Sequence, residues 1–282
     1  MILVDLNQVM ISNLVEQMKI SKTTQVDENF VRHMILNSIR SYRNKFYREY
    51  GELVICCDDR NYWRKDIFPY YKAHRKKDRE KSDLDWNEIF RVLNGIRDDL
   101  RDFFPYKVLK IECAEADDII AAMVKRFPDR KILILSSDKD FAQLQCYGNV
   151  EQYSPMQKKK ITHKNPFEYI KKHIIRGDRG DGIPNFLSED DCLVLGKRQK
   201  SIMTKRLDEW LKFEHPEEFC DEKMLYGYRR NEALVDLSKI PKWIHDKVAD
   251  MYDNYEDNDR SLMMNYFIKN KLKHLMGSLQ EF

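Results

Sequence analysis

No stretch of this sequence is apolar for long enough to cross a bilayer as a helix. That excludes a helical membrane protein. The start, Met1-Ile2-Leu3-Val4-Asp5, lacks a basic leader and a long apolar core, so it reads as a β-strand and not as a signal peptide. Net charge is nearly absent, with 50 basic residues against 47 acidic ones leaving +3. No overall attraction to a polyanion follows from that balance, and any charge argument must rest on where each sign is placed. Internal repeats are missing. The six cysteines form no C-x-x-C pair and no zinc spacing with histidine. Cys56 and Cys57 sit in an apolar run as reduced core residues, which fits a reducing, cytoplasmic compartment.

What is present reads as a globular chain of 282 residues, large enough to bury a sizeable core. Ile2–Leu6, Leu53–Cys57, Val108–Ile111, Lys131–Leu135 and Asn149–Tyr153 are short, almost continuously apolar runs that predict strands. Between them, Phe30, Val31, Met34, Ile35, Ile39, Tyr42 and Phe46 recur at helical spacing, with Gly51 as a stop. Asp85–Phe103 and Ala114–Phe127 are further helices. Strands and helices in alternation predict an α/β fold with a central, mostly parallel sheet flanked by helices. After about Pro166 only helical patterns remain, which predicts a smaller C-terminal helical lobe. The expected division is 1–165 and 166–282, with Trp210, Phe213, Trp243, Tyr252, Tyr255 and Phe267 as helical core. Within the first part, residues 64–84 form a basic arm. Its run from Lys72 to Lys81 has no apolar stripe, so it is expected to be exposed and mobile and not a packed helix.

Carboxylates recur at the ends of the strands. Asp5 ends the first, Asp58 follows the second, Glu115, Asp117 and Asp118 follow the third, and Asp138 and Asp140 follow the fourth. In a parallel α/β sheet those ends face one crevice. Each group alone has an ordinary explanation as a helix cap or turn residue. Four such placements together point to a shared pocket, where ionised carboxylates repel unless cations hold them. With no His or Cys at the same ends, the oxygen donors favour magnesium, with manganese able to substitute, over zinc. Two such ions suit phosphodiester hydrolysis.

Three segments resemble successive motifs of the flap endonuclease and 5′-3′ exonuclease family. They are Glu115-Ala116-Asp117-Asp118, then Ser136-Ser137-Asp138-Lys139-Asp140-Phe141, then Gly177-Asp178-Arg179-Gly180-Asp181-Gly182-Ile183-Pro184. Pro69-Tyr70-Tyr71-Lys72-Ala73-His74-Arg75 resembles the arm of the same family. The likeness runs on through Tyr62-Trp63-Arg64, Tyr153-Ser154-Pro155-Met156 and Gln280-Glu281-Phe282, and is nearest in texture to a bacteriophage branch. The resemblance implies a first metal site from Asp5, Asp58, Glu115 and Asp117. A second would come from Asp138, Asp140 and Asp181, with Asp118 and Asp178 in support. It implies catalytic roles for Asp117 and Asp138, hydrolysis of DNA and RNA–DNA hybrids from 5′ ends or at flaps, and work as a monomer in replication. A sliding clamp and a single-stranded-DNA-binding protein are implied partners.

On the substrate side, Lys72 and Arg75 are placed to neutralise a scissile phosphate, and Tyr71 to stack on a terminal base. Lys76 and Lys77 continue the phosphate-binding run, and Arg64 is a further candidate. Gly177, Gly180 and Gly182 leave room for backbone N–H groups to approach a phosphate. The resemblance makes this loop the opening of a helix-turn-helix-like duplex grip, often completed by a monovalent cation. The second glycine-rich turn of the family is replaced here by Leu195-Gly196-Lys197-Arg198-Gln199-Lys200, so Lys197 and Arg198 remain as duplex contacts while the monovalent cation loses its motif. The alternatives are a PIN-type endoribonuclease, against which the Gly177–Pro184 loop argues, and an inactive structure-selective DNA-binding factor, against which the full acidic set argues.

Overall fold

Apolar strands that must be covered on both faces place β1 (Ile2–Asp5) at the middle of the molecule, and all four of its residues are buried. In the computed structural model, which describes Met1–Phe282, β1 leads into α1 (Leu6–Ser21) and α2 (Glu28–Tyr50). β2 (Leu53–Cys57) is followed by three helices: α3 (Arg64–Ile67), α4 (His74–Glu80) and α5 (Trp86–Phe103). β3 (Lys107–Lys110), α6 (Ala116–Arg126), β4 (Ile132–Leu135), β5 (Val150–Ser154) and β6 (Lys159–Ile161) complete the sheet region. The rest is helical, as α7 (Pro166–Arg176), α8 (Thr204–Trp210), α9 (Glu222–Val235), α10 (Lys242–Asp253), α11 (Ser261–Lys269) and α12 (Lys273–Met276).

The six strands lie in the order β3-β2-β1-β4-β5-β6, parallel except for β6. Between β1 and β4 the order turns from leftward to rightward growth. At such a switch point the connections leave in opposite directions and open a crevice beyond the carboxyl ends of the strands. Alternation splits the strands between two cores. Ile2, Val4, Ile55 and Leu133 face α1, α2 and α5, while Leu3, Val54, Leu109 and Ile134 face α6 and α10.

Three features depart from the sequence expectations. α1 fills a stretch with no clear stripe, and Ile11, Val15 and Ile20 stay exposed on it. The basic arm is partly a helix, α4, although no residue of it is buried. Its Arg, Lys and Glu residues are good helix formers, so local propensity suffices without packing. Residues 166–282 divide between two settings. A third core gathers Ile174, Ile183, Phe186, Trp210, Tyr228 and Leu234 around Phe68 and Tyr71 of the arm. From Leu237 onward the chain returns to the sheet: Ile244 and Val248 pack on one face, Met263, Phe267 and Phe282 on the other. Phe213 and Trp243, expected in a core, are more than a third exposed.

Between α7 and α8 the expected duplex grip is built from turns more than from a second full helix. Asn185 and Ser188 engage the backbone of Lys200 and so compete with helical pairing there. α9 clamps this region: buried Asn231 donates to the carbonyls of Ile174 (2.7 Å) and Pro184 (2.9 Å). Gly227 lies against Phe186, whose carbonyl oxygen would be 2.0 Å from any Cβ. The loop 177–184 is thereby held beside the strand ends.

Candidate metal centre

Each strand end delivers its carboxylate by a local device. Asp5 caps α1, with Oδ1 accepting from Gln8 N (3.1 Å) and Oδ2 from Ser136 Oγ (2.9 Å) across the switch point. The same Ser136 hydroxyl accepts from Asp138 N (3.1 Å), so one side chain ties the end of β1 to the loop after β4. Gln152, buried on β5, donates to the carbonyl oxygens of Ser136 (3.0 Å) and Asp138 (2.6 Å) and fixes that loop from the other side. Asp58 accepts from Ala116 N (2.7 Å), which docks the second strand end on the start of α6, and from Asn7. Asp117 is half-buried, and no protein group donates to it.

These carboxylates lie near enough to perturb one another's acidities. Burial first, then Asp58, raise Asp5 to about 7. Burial followed by Asp138, Asp5, Glu115 and Asp58 pushes Asp117 well above the usual carboxylate range. Burial, outweighing the nearby His173, raises Asp140 to about 6, with Asp138 and Asp178 adding to it. Asp58 is raised as well, chiefly by burial. A set of oxygen donors that resists ionisation until a cation arrives fits hard divalent ions.

The remaining acidic residues are already paired with the protein's own cations. Burial pushes Glu115 upward, yet Lys72 and Arg64, with hydrogen bonds from Lys72 and Tyr71, overcome it and leave its carboxyl below the ordinary value. Arg64 Nη1 is 2.9 Å from Glu115, and its Nη2 is 2.8 Å from Asp118. Asp118 has no exposed surface. It also accepts from the Trp63 indole (3.0 Å) and from Glu115 N (3.0 Å). Asp181 is taken by Arg75 (2.6 Å) and Tyr71 Oη (3.1 Å), with Lys72 at 3.6 Å. Asp178 accepts from Gly180 N (2.7 Å) and pairs with Lys139 (2.9 Å). Burial opposes its ionisation, but the neighbouring His173 and Lys139 win and hold it well below the carboxylate range.

This arrangement changes several expected roles. Arg64 is 3% exposed, so it braces Glu115 and Asp118 and does not reach a phosphate. Tyr71, also 3% exposed, spends its hydroxyl on Glu115 and Asp181 and offers no face for stacking. Asp118, buried under Arg64 and Trp63, anchors the start of α6 and supports Glu115 from behind. Asp181 turns to the arm, not to Asp138 and Asp140. Lys72 is not on a mobile tip: it sits at φ 55°, its backbone N–H bonds the carbonyl of Asp181 (2.8 Å), and its ammonium reaches Glu115. Arg75 stays half exposed, while Lys76, Lys77, Lys197 and Arg198 are exposed.

The glycines of the 177–184 loop are structural first. Gly177 has φ 67°, and a Cβ there would lie 2.4 Å from the Pro184 carbonyl oxygen. Gly182, at φ 75°, meets the Tyr70 carbonyl. Gly180 donates to Asp178. The residue that sequence reasoning missed is His173, on the buried face of α7. Its Nδ1 is 3.4 Å from Asp140 and its Nε2 3.3 Å from Asp178, and burial is outweighed by Asp178 and Asp140 so that its pKa is raised. The available signal was a histidine four residues ahead of Gly177, on a helix otherwise apolar on that side.

Two expectations follow. Arg64→Ala strands two buried carboxylates, so it should cost about 3–5 kcal/mol in urea unfolding; a stability unchanged from the parent together with weakened DNA binding would return Arg64 to the interface. The raised carboxyls Asp5 and Asp140 contribute stability that is full below the ordinary carboxyl range and is lost as pH rises through about 6 to 7. A divalent cation binds the ionised form, so its thermal shift should be larger at about pH 8 than at about pH 5. Equal shifts at both pH values would contradict the assignment of these carboxyls to the cation site.

Comparison with known proteins agrees with this geometry. Residues 1–173 match the 5′-3′ exonuclease N-terminal resolvase-like domain, and residues 167–282 match the T4 RNase H C-terminal domain. Ribonuclease H of Enterobacteria phage T4 is 34% identical over 291 aligned positions, spanning 99% of this chain and 95% of that protein. A 5′-3′ exonuclease of Buchnera aphidicola is 29% identical over 159 positions, 53% of each chain. The bacteriophage T5 D15 flap endonuclease, solved as a pseudo-enzyme-product complex with DNA and metal ions, shares the fold. Its TM-score is 0.66 at 14% identity, over 89% of this chain and 97% of that one. A likeness that spans both matched domains, on a sheet whose strand ends gather these carboxylates, makes this chain a nuclease of the 5′-3′ exonuclease and flap endonuclease family.

Proposed function

We propose that this chain is a magnesium-dependent, structure-selective 5′ nuclease that hydrolyses phosphodiesters of RNA–DNA and DNA duplexes, removing primers and cutting flaps in DNA replication. The observation that carries the reading is the meeting of Asp5, Asp58, Asp117 and Asp138 at the switch-point crevice, with Lys72 and Arg75 on its rim. Asp5, Asp58, Asp117 and Glu115 would hold one cation, and Asp138, Asp140 and Asp178 a second. Bound there, magnesium, or manganese in its place, supplies a water of lowered pKa and a stabilised leaving oxygen.

The side chains supply the rest. Lys72 and Arg75 rest on Glu115 and Asp181 and exchange those carboxylates for the scissile phosphate, where their charge offsets the negative charge that builds during attack. Exposed Lys76, Lys77, Lys197 and Arg198 grip the phosphate backbone without reading sequence. Backbone N–H groups of the Gly177–Gly182 loop add neutral donors. The enzyme acts as a monomer in the cytoplasm, with a sliding clamp and a single-stranded-DNA-binding protein as partners.

The deciding assay incubates the protein with a 5′-labelled flap and with an RNA–DNA hybrid, with and without magnesium. Short products released from the 5′ end or at the junction, only with the cation, support the reading. Internal cutting of single-stranded RNA, independent of an end, would favour the endoribonuclease alternative. Asp138→Asn should abolish cleavage and leave flap binding in place; wild-type cleavage would refute its role. Lys72→Ala should lower turnover by about 10²–10³-fold, the scale of losing one preorganised charge donor. A change confined to affinity would make the arm a docking element.

A further inference from the structure

Among all His, Cys, Asp and Glu side chains, one trio presents donor atoms within 4.8 Å of one another: Asp140, His173 and Asp178. It includes a nitrogen donor, which the acidic strand ends alone do not. His173 is 8% exposed, and its two ring nitrogens are in different situations. Nδ1 is met by Tyr169 Oη (3.5 Å) and by Asp140 (3.4 Å). Nε2 is buried, lies 3.3 Å from Asp178 Oδ2, and makes no hydrogen bond of acceptable geometry. A buried ring nitrogen with no partner is costly and rare. An imidazole whose Nδ1 is oriented by Tyr169 and Asp140 while its Nε2 faces a further carboxylate, Asp178, is how ligating histidines are held.

From this geometry we infer that His173 ligates a cation through Nε2 beside Asp140 and Asp178, and that this position prefers a first-row transition ion such as manganese to magnesium. The inference rests on the metal-dependent reading above and narrows its cation at one position. The chemistry is direct. Magnesium keeps to oxygen ligands and holds its waters, whereas imidazole nitrogen strengthens binding along the first-row divalent series. Lys139, 62% exposed at its side chain, is free to leave Asp178 for solvent when a cation enters, while Tyr169 stays on Asp140 as an outer support.

The test uses the full chain and manganese itself. Electron spin-echo spectroscopy of the Mn²⁺-loaded protein should show nitrogen-14 coupling from one imidazole, and the coupling should vanish in His173→Gln. Calorimetric titrations with Mn²⁺ and with Mg²⁺ should show the affinity ratio falling about tenfold or more in that variant, since even outer-shell losses cost that much. If the variant does not fold, labelling the wild-type histidines with nitrogen-15 replaces it, because the coupling pattern must change with the isotope. Manganese bound with no nitrogen coupling, or an unchanged affinity ratio, overturns the histidine assignment alone. Failure of any divalent cation to bind overturns it and the metal-dependent reading together.

Discussion

Mutual repulsion among buried carboxylates is the constraint around which the rest of this molecule is arranged. Asp5, Asp58, Asp117, Asp138 and Asp140 are carried to one crevice by three different strands and the start of a helix. Burial and proximity raise the pKa values of four of them. A protein built for stability alone would separate them. Here the surrounding framework is unusually well fastened: Ser136 and Gln152 fix the loop after β4, and Ala116 and Asn7 fix Asp58. Such supports hold an unfavourable cluster in place so that its relief is available to a ligand.

The same problem is solved differently on either side of the crevice. Around Glu115, Asp118 and Asp181 the protein supplies its own cations, Arg64, Lys72 and Arg75. Arg64 is permanent, because its guanidinium is fully enclosed and also donates to the carbonyl of Leu234 (2.8 Å). Lys72 and Arg75 lie nearer the surface and can exchange partners. A graded series results, from fixed internal counterions, through exchangeable ones, to carboxylates left without any.

The sheet was legible in the sequence because its strands are nearly pure apolar runs, and β2 falls on Leu53–Cys57 as read. The gathering of carboxylates followed from topology, since strand ends in a parallel sheet share one side. What could not be read is which charged group pairs with which. Composition gave Arg64, Tyr71 and Lys72 the look of a substrate-facing arm, but their orientation depends on Glu115, more than 40 residues away in sequence. His173 lies on α7, away from every strand end in sequence, so the position of the strand ends carries no signal for it. α4 forms without an apolar stripe, and the return of residues 237–282 to the sheet is dictated by the unmet faces of distant strands, not by local pattern.

That return ties the sheet that carries the carboxylates to residues 237–282. Phe282 is fully enclosed among Phe104 and Phe267, and Arg40 and Arg43 hold Glu281 from α2. Both faces of the sheet are therefore covered only once residues 237–282 have folded back on it. A firmly held acidic crevice thus depends on contacts between residues far apart in the chain, which close late in folding.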